Sequence, residues 1–239
     1  MSDEPVQTQT KRVRKSPATN GSETSVTGGA DQAALQAHIK AHLGKISTIY
    51  PETEKTNSDL PPIALYLIAP TRRRPYYTLI TAGMSSLPLH TPDDSSEAQY
   101  AELLMCLPTE WSFSPEALQD EANAWPLHWL KAVAQLPHST KSWLGWGHTL
   151  AVGEGLSLAA PNTLFSALLL LSPVLPSEDF QELYINEQKT INFWSLIPLY
   201  AEEMNYKLDY GLERLVTRFD EQCISELLDP KRANLCAAS

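Results

Sequence analysis

Proline punctuation constrains this chain more than any other feature. Eighteen prolines against ten glycines are distributed along 239 residues. Each proline locks φ and removes a backbone donor, so long regular helices are disfavoured and short elements with rigid boundaries are favoured. The apolar fraction of 43% and charged fraction of 19% disfavour collagen-like, coiled-coil and fully disordered classes. The length suits one large domain or two small ones, and either can bury a core.

Residues 1–29 carry almost no large apolar side chains and read as a disordered tail. Asp31 is then expected to cap a helix running to Ile46, with Leu35, Ile39, Leu43 and Ile46 on one face, ended by Tyr50-Pro51. Strands are expected at Ile63–Ala69, Tyr76–Ala82 and Tyr100–Leu107, the last stopped by Pro108. Pro126 is placed as the first residue of a helix to Leu136, lined by Trp129, Leu130 and Val133. Leu164–Leu171 reads as a buried strand, and Tyr184-Ile185 with Thr190–Phe193 as a hairpin around Asn186–Lys189. Helices are expected at Leu196–Tyr210 and from Leu212 to Gln222. Strands and helices intermix without strict βαβ alternation, which indicates an α+β fold.

The most apolar stretch, Leu164–Leu175, is too short for the roughly 20 residues of a membrane span and contains Pro173. No apolar segment follows the basic cluster Lys11–Lys15, so no signal peptide is expected and the default location is cytoplasmic. Cys106, Cys223 and Cys236 are odd in number and widely spaced, consistent with a reducing compartment; Cys106 lies in an apolar run and is expected to be a buried thiol. The net charge is −10, and residues 46–239 hold 24 acidic against 12 basic side chains, so the body would repel nucleic acid.

Motifs for chemistry are sparse. His38 and His42 stand at i and i+4 on the first helix, a spacing that suits a metal, but no third ligand is near and solvated histidines are expected. The sequence has no P-loop, no GxGxxG and no GxSxG, so no cofactor and no metal are expected. Arg72-Arg73-Arg74 reads as a solvated turn or as a dock for an acidic partner. The segment Trp143-Leu144-Gly145-Trp146-Gly147-His148-Thr149 packs aromatics, glycines and an imidazole closely enough to build a shaped wall, or to anchor a core loop.

Several blocks resemble a known family in order. Arg74–Ser85 (RPYYTLITAGMS) is similar to the RPYYTLVTxGMS block of bacterial Suppressor-of-fused-like domains. Tyr100–Leu103, Cys106–Pro108, Trp125-Pro126 with Trp129-Leu130, Trp143–Gly145 with Gly147–Thr149, Pro161–Thr163, Ile191–Phe193, Pro198–Tyr200 with Glu202–Met204 and Asn234–Cys236 continue the resemblance. The chain departs from the usual pattern at Leu150-Ala151, where a proline-bearing continuation is common. The resemblance implies one α+β domain over residues 30–239, with a central mixed, largely antiparallel sheet flanked by helices. It implies a non-catalytic binding module: the animal regulator pairs a peptide strand, and bacterial members are associated with immunity against polymorphic toxins. The expected partner is another protein, a toxin domain or a short peptide strand. The candidate surface is Trp143, Trp146 and His148, with Tyr76, Tyr77, Asn162 and Glu203 as neighbours. Two rival readings are an adaptor that adds an edge strand to a peptide, and an enzyme using His148 and Glu203 as acid and base.

Overall fold

Proline does not break this chain where its chemistry predicts. In the computed structural model, which describes residues 24–52, 60–92, 99–151 and 161–237, the helix α2 spans Glu121–Thr140 and contains both Pro126 and Pro137. Its cap is Asp120, whose carboxylate accepts from the Ala122 N–H at 3.0 Å, so Pro126 lies well inside rather than at the first position. The missing N–H of Pro126 would have served the carbonyl four residues back, at Ala122. That carbonyl accepts from Asn162 Nδ2 at 3.1 Å instead.

Eight strands form one sheet: β1 (Ile46–Tyr50), β2 (Ala64–Ile68), β3 (Tyr76–Ala82), β4 (Ala101–Pro108), β5 (Thr149–Ala151), β6 (Ala167–Leu171), β7 (Glu182–Asn186) and β8 (Lys189–Leu199). The order is β1-β2-β3-β4-β8-β6-β5, with β7 also on β8. β4 and β8 pair in parallel and the other pairs are antiparallel. The long β8 takes β4 on one side and, on the other, β7 at its start and β6 at its end. The remaining helices are α1 (Thr24–His42), α3 (Ala201–Tyr210) and α4 (Leu212–Glu221), giving the expected α+β class with a mixed, largely antiparallel sheet.

The two-residue period of the strands sorts the core. Leu65, Leu67, Leu79, Leu103 and Met105 meet Trp125, Trp129, Leu130 and Val133 of α2 on one face. On the other, Tyr66, Ile68, Ile80, Leu104 and Phe193 meet Leu35 and Ile39 of α1 and Leu43 just after it. Further along that same face, Leu169, Ile197 and Leu199 meet Leu215 and Phe219 of α4.

Other boundaries also differ from expectation. The first helix stops at His42, the N–H groups of Leu43 and Gly44 both returning to the Ile39 carbonyl, and Ile46 opens strand β1. That helix begins at Thr24, inside the segment that composition assigns to the tail; residues 1–23 lie outside the described residues. Asp31 is no cap but pairs with Lys189 at 2.8 Å. Leu196–Leu199 belong to β8 rather than to a helix, because pairing with β6 and burial override their helical spacing. His38 is not a solvated helix histidine: its ring stacks on Phe180 and Phe193 at 5.1 and 5.3 Å, and no group of three metal-ligating side chains occurs among the described residues. Cys106 is buried as expected, and burial pushes its thiol well up. No helix among the described residues is long and apolar enough to cross a membrane.

Candidate functional site

The segment after α2 is built by turning the chain out of a helix and sewing it onto a sheet edge. Lys141 takes a left-handed conformation and the Ser142 N–H returns to the Pro137 carbonyl at 2.9 Å, closing the helix. Trp143 then lies half-buried on the α2 core, with Leu144 buried beside it. Glycine follows at 145, where a Cβ would sit 2.6 Å from the Trp143 ring and force it to move. Gly147, at φ +77°, swings the backbone so that its N–H reaches the Leu170 carbonyl at 2.7 Å, and the Leu170 N–H reaches the His148 carbonyl at 2.9 Å. The ladder continues as β5 against β6, with Thr149 opposite Leu169 and Ala151 opposite Ala167.

This construction splits the aromatics. Trp143 meets the His148 ring edge-to-face at 4.4 Å, while Trp146 is 57% exposed. Burial and the Lys207 charge lower the His148 pKa, against a hydrogen bond to the Trp143 carbonyl that raises it, so the imidazole is neutral at pH 7. Lys207 Nζ also donates to Thr149 Oγ1 at 3.4 Å, so α3 flanks the strand. Among the described residues no strand pairs with the outer edge of β5.

The other proposed neighbours lie elsewhere. Tyr76 is buried in the α1 core, on the sheet face opposite α2. Tyr77 points to the α2 side, where its ring meets Phe113 at 4.9 Å, and Asn162 is committed to the Ala122 carbonyl. Glu203 is fully buried and serves as a bracket: its oxygens accept from Arg232 Nη1 and Nη2 at 2.6 Å each, from the Tyr200 N–H at 3.0 Å and from the Leu235 N–H at 3.2 Å. Both oxygens are thus engaged away from His148, and the acid–base pair loses its carboxylate. The later residues of Trp143–Thr149 could be read as a strand from the sequence, but neither the edge position of Thr149–Ala151 nor the flanking Lys207 could. A short β-branched and apolar run after Gly147-His148 was the available signal for the strand; nothing local marks Lys207.

The family model of Suppressor of fused protein (SUFU) matches residues 59–233. The chain belongs to the Suppressor of fused family. Its fold agrees with solved members. A SUFU homologue from Neisseria gonorrhoeae FA 1090 superposes with a TM-score of 0.60 at 17% identity, covering 90% of this chain and 100% of that one. A Sufu–Fu complex aligns with TM-score 0.58 at 14% identity over 85% of this chain and 91% of that chain. Drosophila Suppressor of Fused aligns at 0.56 and 12% over 87% of this chain, which spans 50% of that longer chain. None of the curated protein sequences compared matches. Within this Suppressor of fused domain, Arg74–Ser85 forms β3 with its flanking turns, while Trp143–Thr149 supplies the approach to the β5 edge.

Proposed function

We propose that this Suppressor of fused domain is a non-catalytic protein-binding module whose docking surface runs from Trp143 to Ala151. The observation that carries the reading is the juxtaposition of exposed Trp146 with the outer edge of β5, which has no strand partner among the described residues. An edge strand offers a row of backbone donors and acceptors to an extended segment of a partner, and an adjacent indole supplies an apolar anchor. A solved relative in complex with another protein supports a binding role.

The partner class is a toxin domain that the module neutralises in the cytoplasm. The acidic excess of 28 Asp plus Glu over 18 Lys plus Arg would steer a basic partner toward it. Co-expression with the toxin-like product of an adjacent gene should restore growth and allow co-purification, and Trp146→Glu should abolish both while leaving the fold intact. Co-purification without rescue would sink the immunity role but keep the module. Retention of binding by Trp146→Glu would remove the surface.

A further inference from the structure

Away from that surface a groove of about 710 Å³ opens between the C-terminus of α1, the turn joining β2 to β3, and the Leu175-Pro176 and Ser225–Leu227 segments. None of Trp143, Trp146 or His148 lines it. Its described lining holds Lys40, His42, Arg73 and Arg74 but no carboxylate, on a chain of net charge −10. Lys40 and Arg73 are exposed, and neither has a hydrogen-bond or ion-pair partner among the described residues.

The unusual group is Arg74, only 9% exposed. Its guanidinium donates to four neutral oxygens: Tyr76 O and Thr78 Oγ1, both at 2.9 Å, Ala69 O at 2.7 Å and Leu43 O at 3.3 Å. No carboxylate among the described residues neutralises it. Buried charges are ordinarily paired, because an uncompensated one forfeits hydration without gaining a counter-ion. Burial accordingly pulls the Arg74 pKa below the ordinary arginine value. Arg74 also covers the Leu43 carbonyl at the helix C-terminus, whose partial negative charge would otherwise repel an anion.

Two hydroxyls complete the rim. Thr71 Oγ1 accepts from the Arg74 N–H at 3.1 Å and Ser225 Oγ from the Leu227 N–H at 3.2 Å, which leaves the O–H of each free to donate. Glu226, between Ser225 and Leu227, turns its carboxylate inward to Ser195 Oγ and to the N–H groups of Val174 and Leu175. Pro75, Leu175, Pro176 and Leu227 form the apolar wall of the groove.

We propose that this groove binds a small organic phosphate of nucleotide size, its phosphate held by Lys40, Arg73, Thr71 and Ser225 over the buried Arg74 and its organic part against the apolar wall. The volume fits such a ligand and exceeds what inorganic phosphate needs. The cluster carries enough positive charge for a dianion, and the ligand would supply the missing counter-ion.

The test is calorimetric and thermal titration of the full chain with AMP, ATP and inorganic phosphate, with sodium chloride holding ionic strength constant. At least one nucleotide should raise the melting temperature saturably and bind about tenfold or more tightly than inorganic phosphate. The double variant Lys40→Gln/Arg73→Gln, at exposed positions, should weaken that binding by about tenfold or more. Arg214→Gln, on the exposed side of α4, should leave it unchanged. No saturable response to either nucleotide up to roughly 10 mM overturns the site. Unaltered affinity in the double variant overturns it as well, and equal affinity for phosphate and nucleotides overturns the role of the apolar wall.

Discussion

Two largely buried arginines in this domain differ in one respect, the charge they face. Arg232 sits under a carboxylate that takes both of its terminal nitrogens at 2.6 Å, with the rings of Phe165 and Tyr200 each 5.0 Å away. Arg74 is buried too and its guanidinium makes as many hydrogen bonds, but it meets only neutral oxygens. Arg232 ties the C-terminal segment to the start of α3 through Glu203, and its Nη2 also donates to the Pro198 carbonyl at 2.9 Å. Arg74 ties a turn to a helix end and faces a groove. A closed ion pair completes its own electrostatics and has nothing to offer a ligand. An open one is stable only because neutral dipoles replace water, and it keeps its attraction for an anion.

The sharpest break of this comparison is Arg232→Met. Removing one partner of a buried pair leaves Glu203 charged and unneutralised, an error that typically costs about 3–5 kcal/mol. Urea unfolding of the variant should show a loss of that order, and Glu203→Gln introduced into Arg232→Met should restore part of it. A loss below about 1 kcal/mol would mean that the pair behaves as an exposed bridge.

Arg74→Met should cost less. The substitution strands no carboxylate; it leaves three carbonyls and one hydroxyl without this donor, at about 1–3 kcal/mol for each that water cannot reach, and it returns part of that by removing an uncompensated buried charge. The ordering matters more than either number. If Arg74→Met proves more damaging than Arg232→Met, the guanidinium is a structural staple first, and its open charge is not what distinguishes it.

How much of this was legible before the structure follows from the same contrast between local and distant partners. Strand β3 was read residue for residue, because Tyr76–Ala82 is β-branched and aromatic and bounded by Pro75 and Gly83. The contiguous Trp143–Thr149 segment was visible because its residues are neighbours in the chain. Pro126 misled, since the group that satisfies the orphaned Ala122 carbonyl is Asn162, about forty residues away, and no local rule can see it. Leu196–Leu199 carried helical spacing and became strand because β8 already paired with β4 and β6. Glu203 reads as a neighbour of the aromatic surface and a partner for His148, and only the fold shows Arg232, 29 residues on, closing over it. Arg74 stood in a run of three arginines, and only the fold buries one of them.

The mirror image of Arg74 is Glu226, a buried carboxylate held by neutral donors: Ser195 Oγ at 2.6 Å, the Leu175 N–H at 2.6 Å and the Val174 N–H at 3.2 Å. Burial raises its pKa above the ordinary glutamate value, and these hydrogen bonds only partly oppose the shift. With the folded pKa above the unfolded one, the folded state holds the proton more tightly. Its contribution to stability is therefore fully present below the unfolded value and is lost as pH rises through the folded one. Glu226→Gln removes that titration. The amide can keep the Leu175 contact and let the Ser195 hydroxyl turn to accept, while Val174 loses its acceptor, a cost that shifts the whole curve without tilting it. Stability measured from pH 4.5 upward should thus fall less steeply with pH in Glu226→Gln than in the parent, by at most about 1.4 kcal/mol per pH unit, the slope of one proton. Parallel curves would mean that Glu226 titrates alike in both states, and that neutral donors alone can hold a buried charge here as well as Arg232 holds Glu203.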